Sequence, residues 1–510
     1  MSLSRIQCMS LIGLEAVPVE VEVDVVKSDK LNLVTVGLPD TAVRESKDRV
    51  LAAIKNSGFS IGTISCTINL APGDLKKEGV LYDLPIALGI LFASNLIKKG
   101  SACEDYLVVG ELGLSGELRP IYGALAIALL ARSLGKKGVI LPIMNAKEAA
   151  AVPHINIYGV HHLKEAVQFF EDPTALTPTD FEISQNLFTH AEACIDFADI
   201  KGQLHVKRAI EIAAAGGHNV LLSGPPGSGK TMIAKAMVGI MPILTLEEAL
   251  QITKIHSIAG LLKEGQSLVT QRPFRSPHHT VSYAGLIGGG SIPKPGEVSL
   301  AHQGVLFLDE LPEFSRSVLE VLRQPLEDRQ VTISRANGSF TFPTSFICIA
   351  AMNPCPCGYL GHPTKGCKDT PLQINRYRNK ISGPLWDRLD MHIEVPALNY
   401  QELTRKTTEA ETSKTVRERV HAARAIQYQR AGKMKTNALL TPSEIKMFCS
   451  LDASSLDCMR LAVDSLGLSA RACDRLIRVA RTIADLDHQP HIQSFHVMEA
   501  INFRSMLKEG

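Results

Sequence analysis

Two short stretches of this chain combine residue types at a spacing suited to phosphate chemistry. Residues 224–231 read GPPGSGKT, and about eighty residues later 304–310 read GVLFLDE. In the first, Gly224, Pro225, Pro226, Gly227, Ser228 and Gly229 make a loop whose glycines let successive backbone N–H groups face a phosphate chain. Lys230 then reaches the β- and γ-phosphates, and Thr231 ligates magnesium. In the second, Asp309 is suited to hold magnesium and Glu310 to polarise an attacking water. Together they are the two halves of a site that hydrolyses ATP. A Gly/Pro linker that happens to contain a lysine would need strand, loop and helix signals to coincide. An apolar strand ending in a surface acidic pair is commonplace alone, but this one does not stand alone.

The elements that must hold these residues are legible around them. Residues 219–223 (NVLLS) predict a short strand and 232–238 (MIAKAMV) a helix, so the loop opens onto a helix N-terminus whose dipole favours anions. Residues 305–308 (VLFL) are apolar throughout, as suits a parallel strand covered on both faces, and they bring Asp309 and Glu310 to the carboxyl edge of a sheet. The predicted fold class is α/β in three parts. Residues 1–170 alternate β-rich runs (17–26, 32–36, 63–70, 107–110, 138–141) with apolar helical stretches (43–56, 84–93). Residues 171–186 are rich in Pro, Thr and acids and read as a linker. A nucleotide domain follows over 187–396, and 397–510 is a helical lid, with helices expected over 400–433, 442–448, 454–466, 470–484 and 494–504.

Composition narrows the class of protein. A length of 510 residues calls for several domains. Hydrophobic residues make up 45% and charged residues 21%, an ordinary globular balance, and no apolar run is long enough to cross a bilayer, so no membrane association is expected. Polar residues interrupt the N-terminus before any sustained apolar core, so no signal peptide is expected and the cytoplasm is the expected compartment. Eleven dispersed cysteines suit reduced thiols better than a disulfide framework. A formal charge of only +2 means that nucleic-acid binding would have to use local basic patches.

Further segments resemble the AAA+ class of ATPases. Residues 346–354 (FICIAAMNP) end an apolar strand in Asn353, which resembles the sensor-1 position that helps to orient the water. Residues 382–390 (SGPLWDRLD) resemble the arginine-finger segment of the AAA+ clade that includes magnesium-chelatase motors and replicative helicases, which implies that Arg388 faces a neighbouring subunit's γ-phosphate; a surface pair of Arg388 with Asp387 or Asp390 is the competing expectation. Arg471, Arg475, Arg478 and Arg481 share one helical face at steps of four, three and three. LSAR at the start of that helix resembles a sensor-2 motif and assigns nucleotide contact to Arg471, leaving the other three as interface or surface residues. Over nearly the whole chain, 37–59 (GLPDTAVRESKDRVLAAIKNSGF), 69–79 (NLAPGDLKKEG), 83–91, 110–125 (GELGLSGELRPIYGAL), 272–290 (RPFRSPHHTVSYAGLIGGG) and 293–314 (PKPGEVSLAHQGVLFLDELPEF) resemble the magnesium-chelatase-like AAA+ proteins of the ComM/YifB type.

That resemblance implies a homo-hexameric ATPase using ATP and magnesium. It further implies a helicase driving branch migration on single-stranded and branched DNA during natural transformation, with recombination proteins as further partners. The first part also resembles the proteolytic domain of Lon-type proteases, but the Ser–Lys dyad is missing: residues 75–87 (LKKEGVLYDLPIA) contain no serine and 123–131 (GALAIALLA) no lysine. Two segments are candidate DNA contacts. Residues 272–294 combine Arg272, Arg275, His278, His279 and Lys294 with Tyr283 and many glycines, as suits a mobile pore loop. Residues 329–343 predict a hairpin turning at Asn337 and Gly338, with Arg335 near its tip and Phe340 behind; in this clade such hairpins enter the hexamer channel. Neither is strongly basic, so an ordinary surface loop and hairpin compete. Cys355, Cys357 and Cys367 resemble a zinc-binding insert of the family, in which Asp369 stands where a fourth cysteine is usual and His362 is another candidate ligand. A metal-insertion or protein-remodelling motor is the alternative to the helicase, and an ATP-dependent assembly switch that binds DNA without unwinding it is a third class.

Overall fold

Alternating apolar residues at the start of the chain make a long half-buried hairpin. Strand Ser2–Ile12 pairs antiparallel with Glu15–Lys27 in a register that sets Ile12 opposite Glu15, and Val19, Val21 and Val23 point inward. The first of these strands was not expected, because its polar residues follow no strict alternation: Arg5 is exposed, whereas Ser4 and Ser10 are buried and Ser4 donates its hydroxyl to the Gly89 carbonyl at 2.7 Å. The sheet continues through Ile64–Ala71 to Asn32–Val36, the latter two parallel, and a three-stranded parallel sheet is made by Tyr106–Val108, Gly138–Pro142 and Asn156–Val160. Helix Asp83–Ala93 is buried on every side, as its unbroken apolar composition requires. At its start Asp83 accepts two hydrogen bonds from Arg49 at 3.0 and 3.2 Å; burial pushes the carboxyl up to about 6 against the pull of that guanidinium. The helix Ala124–Ser133 follows Gly123, and Leu125 N–H in its first turn donates to the buried Glu148 carboxylate at 2.9 Å. The N-terminal part is thus an α/β domain in which an aspartate–arginine pair stands at the start of the first of these helices.

The structure is a computed structural model that describes residues 2–77, 79–97, 103–181, 195–263, 265–290, 293–335, 338–397 and 410–504. They form two units: Met1–Leu187 with Leu246–Thr270 and Ala336–Phe340, and Phe188–Thr245 with Gln271–Arg335 and Thr341–Gly510. Helix Leu246–Ile258, inside the span expected for the nucleotide domain, therefore clusters with the N-terminal unit, where Ser257 hydrogen-bonds Glu148 at 2.5 Å. In the second unit a five-stranded sheet runs in the order Phe274–Arg275, Val305–Leu308, Ile347–Met352, Val220–Ser223, Met391–Glu394, and every neighbouring pair is parallel. The strands leading to Lys230, Asp309 and Asn353 are thereby adjacent, with their carboxyl ends on one edge.

Among the described residues beyond 397 the chain is helical: Ser413–Ala431, Pro442–Phe448, Ala453–Leu466, Ala470–Leu486 and Ser494–Asn502, with one short 3-10 turn. The expected start of the first of these, 400–409, lies outside the described residues, as do linker residues 182–186. These helices share one hydrophobic core with the parallel sheet, including Val416, Val420, Leu476 and Val479 beside Val220, Phe307 and Ile349.

Candidate active site

The lysine loop is shaped by close approach at one end and open space at the other. A Cβ on Gly224 would stand 2.2 Å from the Val395 carbonyl oxygen, so only glycine lets the chain leave the sheet edge there. Gly227 and Gly229 have φ of +78° and +88°, and a Cβ on either would meet nothing within 4 Å. Between them Ser228 is buried with its hydroxyl lacking a protein partner, while its carbonyl accepts from Gln203 Nε2 at 3.2 Å. Lys230 begins helix Lys230–Ile240, and its ammonium folds back to donate to the carbonyls of Gly224 (2.7 Å) and Pro225 (3.0 Å) and to Asn353 Oδ1 (3.3 Å). Burial lowers its pKa, and Asp309 and Glu310 oppose that shift.

Thr231 Oγ1 donates to Asp309 Oδ2 at 3.1 Å, although 78 residues separate them in sequence. Glu310 lies in the left-handed region at φ +51°, its N–H donates to Asp309 Oδ1 at 3.0 Å, and its exposed carboxylate is 3.5 Å from His279 Nδ1. An open glycine cradle, an unpartnered buried hydroxyl, an ammonium held only by oxygens, and a hydroxyl–carboxylate pair fit a magnesium–nucleoside triphosphate. One residue of the site carried no sequence signal, and another was read for a different role. Gln203 fixes the loop from below through Ser228 and Pro396, and His279, expected at DNA, meets Glu310 from the turn that follows strand Phe274–Arg275, which pairs with the Val305–Leu308 strand.

The candidate DNA contacts differ in their surroundings. Arg275 is taken by Glu297 in a bidentate pair, both distances 2.7 Å. The rings of His278 and His279 lie 4.1 Å apart between centroids and tilted by 33°, with His278 bonded to Thr280 and His279 turned to Glu310, so this pair borders the candidate site. Arg272 is spent on the carbonyls of Pro242 and Gln303. Lys294 and Arg335 are exposed, Arg335 closing strand Gln330–Arg335 of the hairpin with Gly338–Pro343; residue 337 of the expected turn lies outside the described residues. Phe340 lies over Gly13 of the N-terminal hairpin, 3.0 Å from where a Cβ would be.

The arginines expected from the family pattern also differ in their surroundings. Arg388 is only 7% exposed and pairs with Glu327, not with Asp387 or Asp390, while donating to the carbonyls of Arg323 (3.1 Å) and Pro384 (2.7 Å). Arg471 is exposed in the first turn of helix Ala470–Leu486. The three arginines after it do not form a solvated stripe. Arg475 binds Asp390 at 2.7 Å, Arg481 is 2% exposed against Asp485, and the Arg478 Nε is buried.

The cysteine segment closes on itself. Sγ atoms of Cys355, Cys357 and Cys367 lie 3.4 to 3.6 Å apart, close to the ~3.8 Å edge of a tetrahedron of sulfurs with ~2.3 Å bonds to zinc. Asp369 completes the group, all four ligand atoms lying within 4.8 Å of one another. The Cys357 thiol and N–H hold the Asp369 carboxyl below its usual range. His362 is turned away, its Nδ1 accepting from the N–H groups of Thr364 and Lys365. The donor set fits a single zinc ion.

Comparison with known proteins agrees with this architecture. Residues 21–145 match the family described as subunit ChlI of Mg-chelatase, 196–403 match magnesium chelatase, subunit ChlI, and 410–504 match the ChlI C-terminal family. The chain is 43% identical to competence protein ComM of Haemophilus influenzae across 100% of its own length and 98% of that protein. It is 43% identical to the uncharacterized protein YifB of Escherichia coli, covering 99% and 98%. Its similarity to Lon protease 2 of Bacillus subtilis is 32% over 154 residues, 28% of this chain and 26% of that one. Among the described residues no helix is long and apolar enough to cross a membrane. The AAA+ architecture implies ATP and magnesium, and identity of this degree over both full lengths, on a sheet that gathers Lys230, Thr231, Asp309 and Asn353 at one edge, places the chain in the magnesium-chelatase-like ComM/YifB family.

Proposed function

We propose that this chain is an ATP-driven DNA translocase that works as a homo-hexamer and promotes branch migration while single-stranded DNA is integrated in transformation. The observation that carries this is the convergence of Lys230, Thr231, Asp309 and Asn353 in a chain similar over its whole length to a competence protein. Lys230 exchanges the Gly224 and Pro225 carbonyls for phosphate oxygens, and the Ser228 hydroxyl and loop N–H groups complete the phosphate cradle. Thr231 and Asp309 would hold magnesium, which when bound would supply neutralising charge to the phosphates. Glu310 leaves His279 to accept a proton from the water that attacks the γ-phosphate, and Asn353 orients that water. Arg388 of a neighbouring copy and Arg471 steady the charge that develops. Cys355, Cys357, Cys367 and Asp369 hold zinc as a structural ion.

Lys294 and Arg335 are the cations we assign to the DNA backbone, since Arg275 is neutralised by Glu297. A metal-insertion motor remains the second reading, favoured by the chelatase-subunit description of all three matching segments. The two are separated by the rate of ATP hydrolysis with and without single-stranded DNA, which should rise only for a translocase. Arg335→Ala should weaken DNA binding for all sequences and lower its salt slope by about one, with ATP binding kept. Unchanged hydrolysis with DNA and an unchanged slope would favour the chelatase-type motor.

A further inference from the structure

The segment of cysteines is built against the phosphate loop. Asn353, whose amide oxygen accepts from the Lys230 ammonium at 3.3 Å, is separated from Cys355 by a single proline, so the first thiol and the lysine's partner move on one short rigid stretch. Three residues after Cys355, Gly358 donates its N–H back to the Cys355 carbonyl at 3.0 Å and takes φ +82°. A Cβ on Gly358 would stand 2.6 Å from Cδ and 2.8 Å from Cγ of Pro226, and 3.8 Å from Cγ of Asn353. The turn from Cys355 to Gly358 thus presses bare backbone onto the proline in the middle of the lysine loop. Beyond that contact the surfaces part around a cavity of 610 Å³ lined by Gly224 and Pro225 on one side and by Leu360, Gly361 and His362 on the other. The contact at Pro226 is therefore where this segment braces the loop.

We infer that zinc at Cys355, Cys357, Cys367 and Asp369 sets the affinity of the ATP site, by fixing the turn that supports Pro226 and Asn353. This rests on reading residues 224–231 as the nucleotide site and the cysteine cluster as a metal site. Without an ion, three thiols and a carboxylate have no common partner, and the turn gains conformational freedom that nucleotide binding must then remove. A coupling of this kind is reciprocal: if zinc tightens nucleotide by a factor, nucleotide tightens zinc by the same factor. The Lys230, Thr231 and Asp309 groups themselves remain in place, so the effect is on affinity in the absence of turnover.

The test uses the full chain and a non-hydrolysable ATP analogue. Protein loaded with zinc is compared with protein stripped by a zinc-selective chelator, the chelator being removed before magnesium and analogue are added. Stripping should weaken analogue binding on the order of tenfold, and the analogue should tighten zinc binding by the same factor. Pro226→Ala should keep its zinc while the ratio between the loaded and stripped affinities falls to about one, because the braced residue is gone. Cys357→Ser should bind analogue as the stripped protein does, with or without zinc; should it fail to fold, stripping and Pro226→Ala still decide. Failure to take up zinc, or equal analogue affinity in the loaded and stripped protein, overturns the inference. Lys230→Ala separates the two levels: if it binds analogue as the native chain does, the nucleotide-site reading itself has failed, whereas loss of binding there with no effect of stripping sinks only the coupling.

Discussion

At the scale of single residues the site divides ground-state binding from hydrolysis. The Lys230 ammonium already lies among oxygens that a phosphate would replace, whereas Glu310 turns an exposed carboxylate to His279. Lys230→Ala is expected to abolish nucleotide binding. Glu310→Gln should retain it and lower hydrolysis by at least ~100-fold, since only the proposed proton acceptor is lost. Titration of a fluorescent ATP analogue and a phosphate-release assay on both variants check this. Tight binding by the Lys230 variant would remove that residue from the site.

At the scale of elements, the seam between the parallel sheet and helix Ala470–Leu486 is sealed by polar groups that are buried or nearly so. Asp390 accepts from Arg475 at 2.7 Å and from Asn219 N–H at 2.8 Å, and His218, fully buried, makes a 2.8 Å hydrogen bond with Thr482 Oγ1 of that helix. Burial pushes the His218 imidazole down to about 4, and Asp390 only partly offsets this. Its unfolded value is about 6.5, so between these two pH values the unfolded chain holds more protons and stability rises with pH. The contribution is complete above about pH 6.5 and is lost on acidification towards pH 4, roughly 3 kcal/mol in all. Urea melts across that range should show the fall, with a shallower slope for His218→Gln. Equal slopes would mean that other groups, such as the buried His392, account for the acid sensitivity.

At the scale of the whole molecule, the proposed hexamer would set Arg388 of one copy beside the site of the next. Arg388 is held within its own chain by Glu327 and two carbonyls, so a role on a neighbour's phosphate requires it to exchange those partners as the ring assembles. Arg388→Ala alone should lose roughly 10³-fold in hydrolysis. Mixed with Glu310→Gln subunits it should regain activity, because some interfaces then join an intact glutamate to an intact arginine. No recovery on mixing, in an assembly confirmed by light scattering, would place Arg388 in its own subunit's structure alone.

Much of this molecule is local information. The lysine loop, its flanking strand and helix, the apolar strand before Asp309 and the helices beyond residue 410 were all readable because glycine placement, unbroken apolar runs and 3.6-residue periodicity act over a few neighbouring residues. The missing Ser–Lys dyad was readable only through the resemblance to Lon-type proteases, which says where a serine and a lysine would be expected. The N-terminal strand Ser2–Ile12 was not, since its pattern gains meaning only from the partner strand that buries one face. Nor was the fate of the arginines. Arg275, Arg388 and Arg475 look equally available in sequence, yet their carboxylate partners lie 22, 61 and 85 residues away. The choice of Asp369 over His362 in the cysteine cluster has the same origin. Sequence thus determined which chemistry the chain contains, and tertiary structure decided which charges remain free to use it, because an ion pair depends on distance in space and not along the chain.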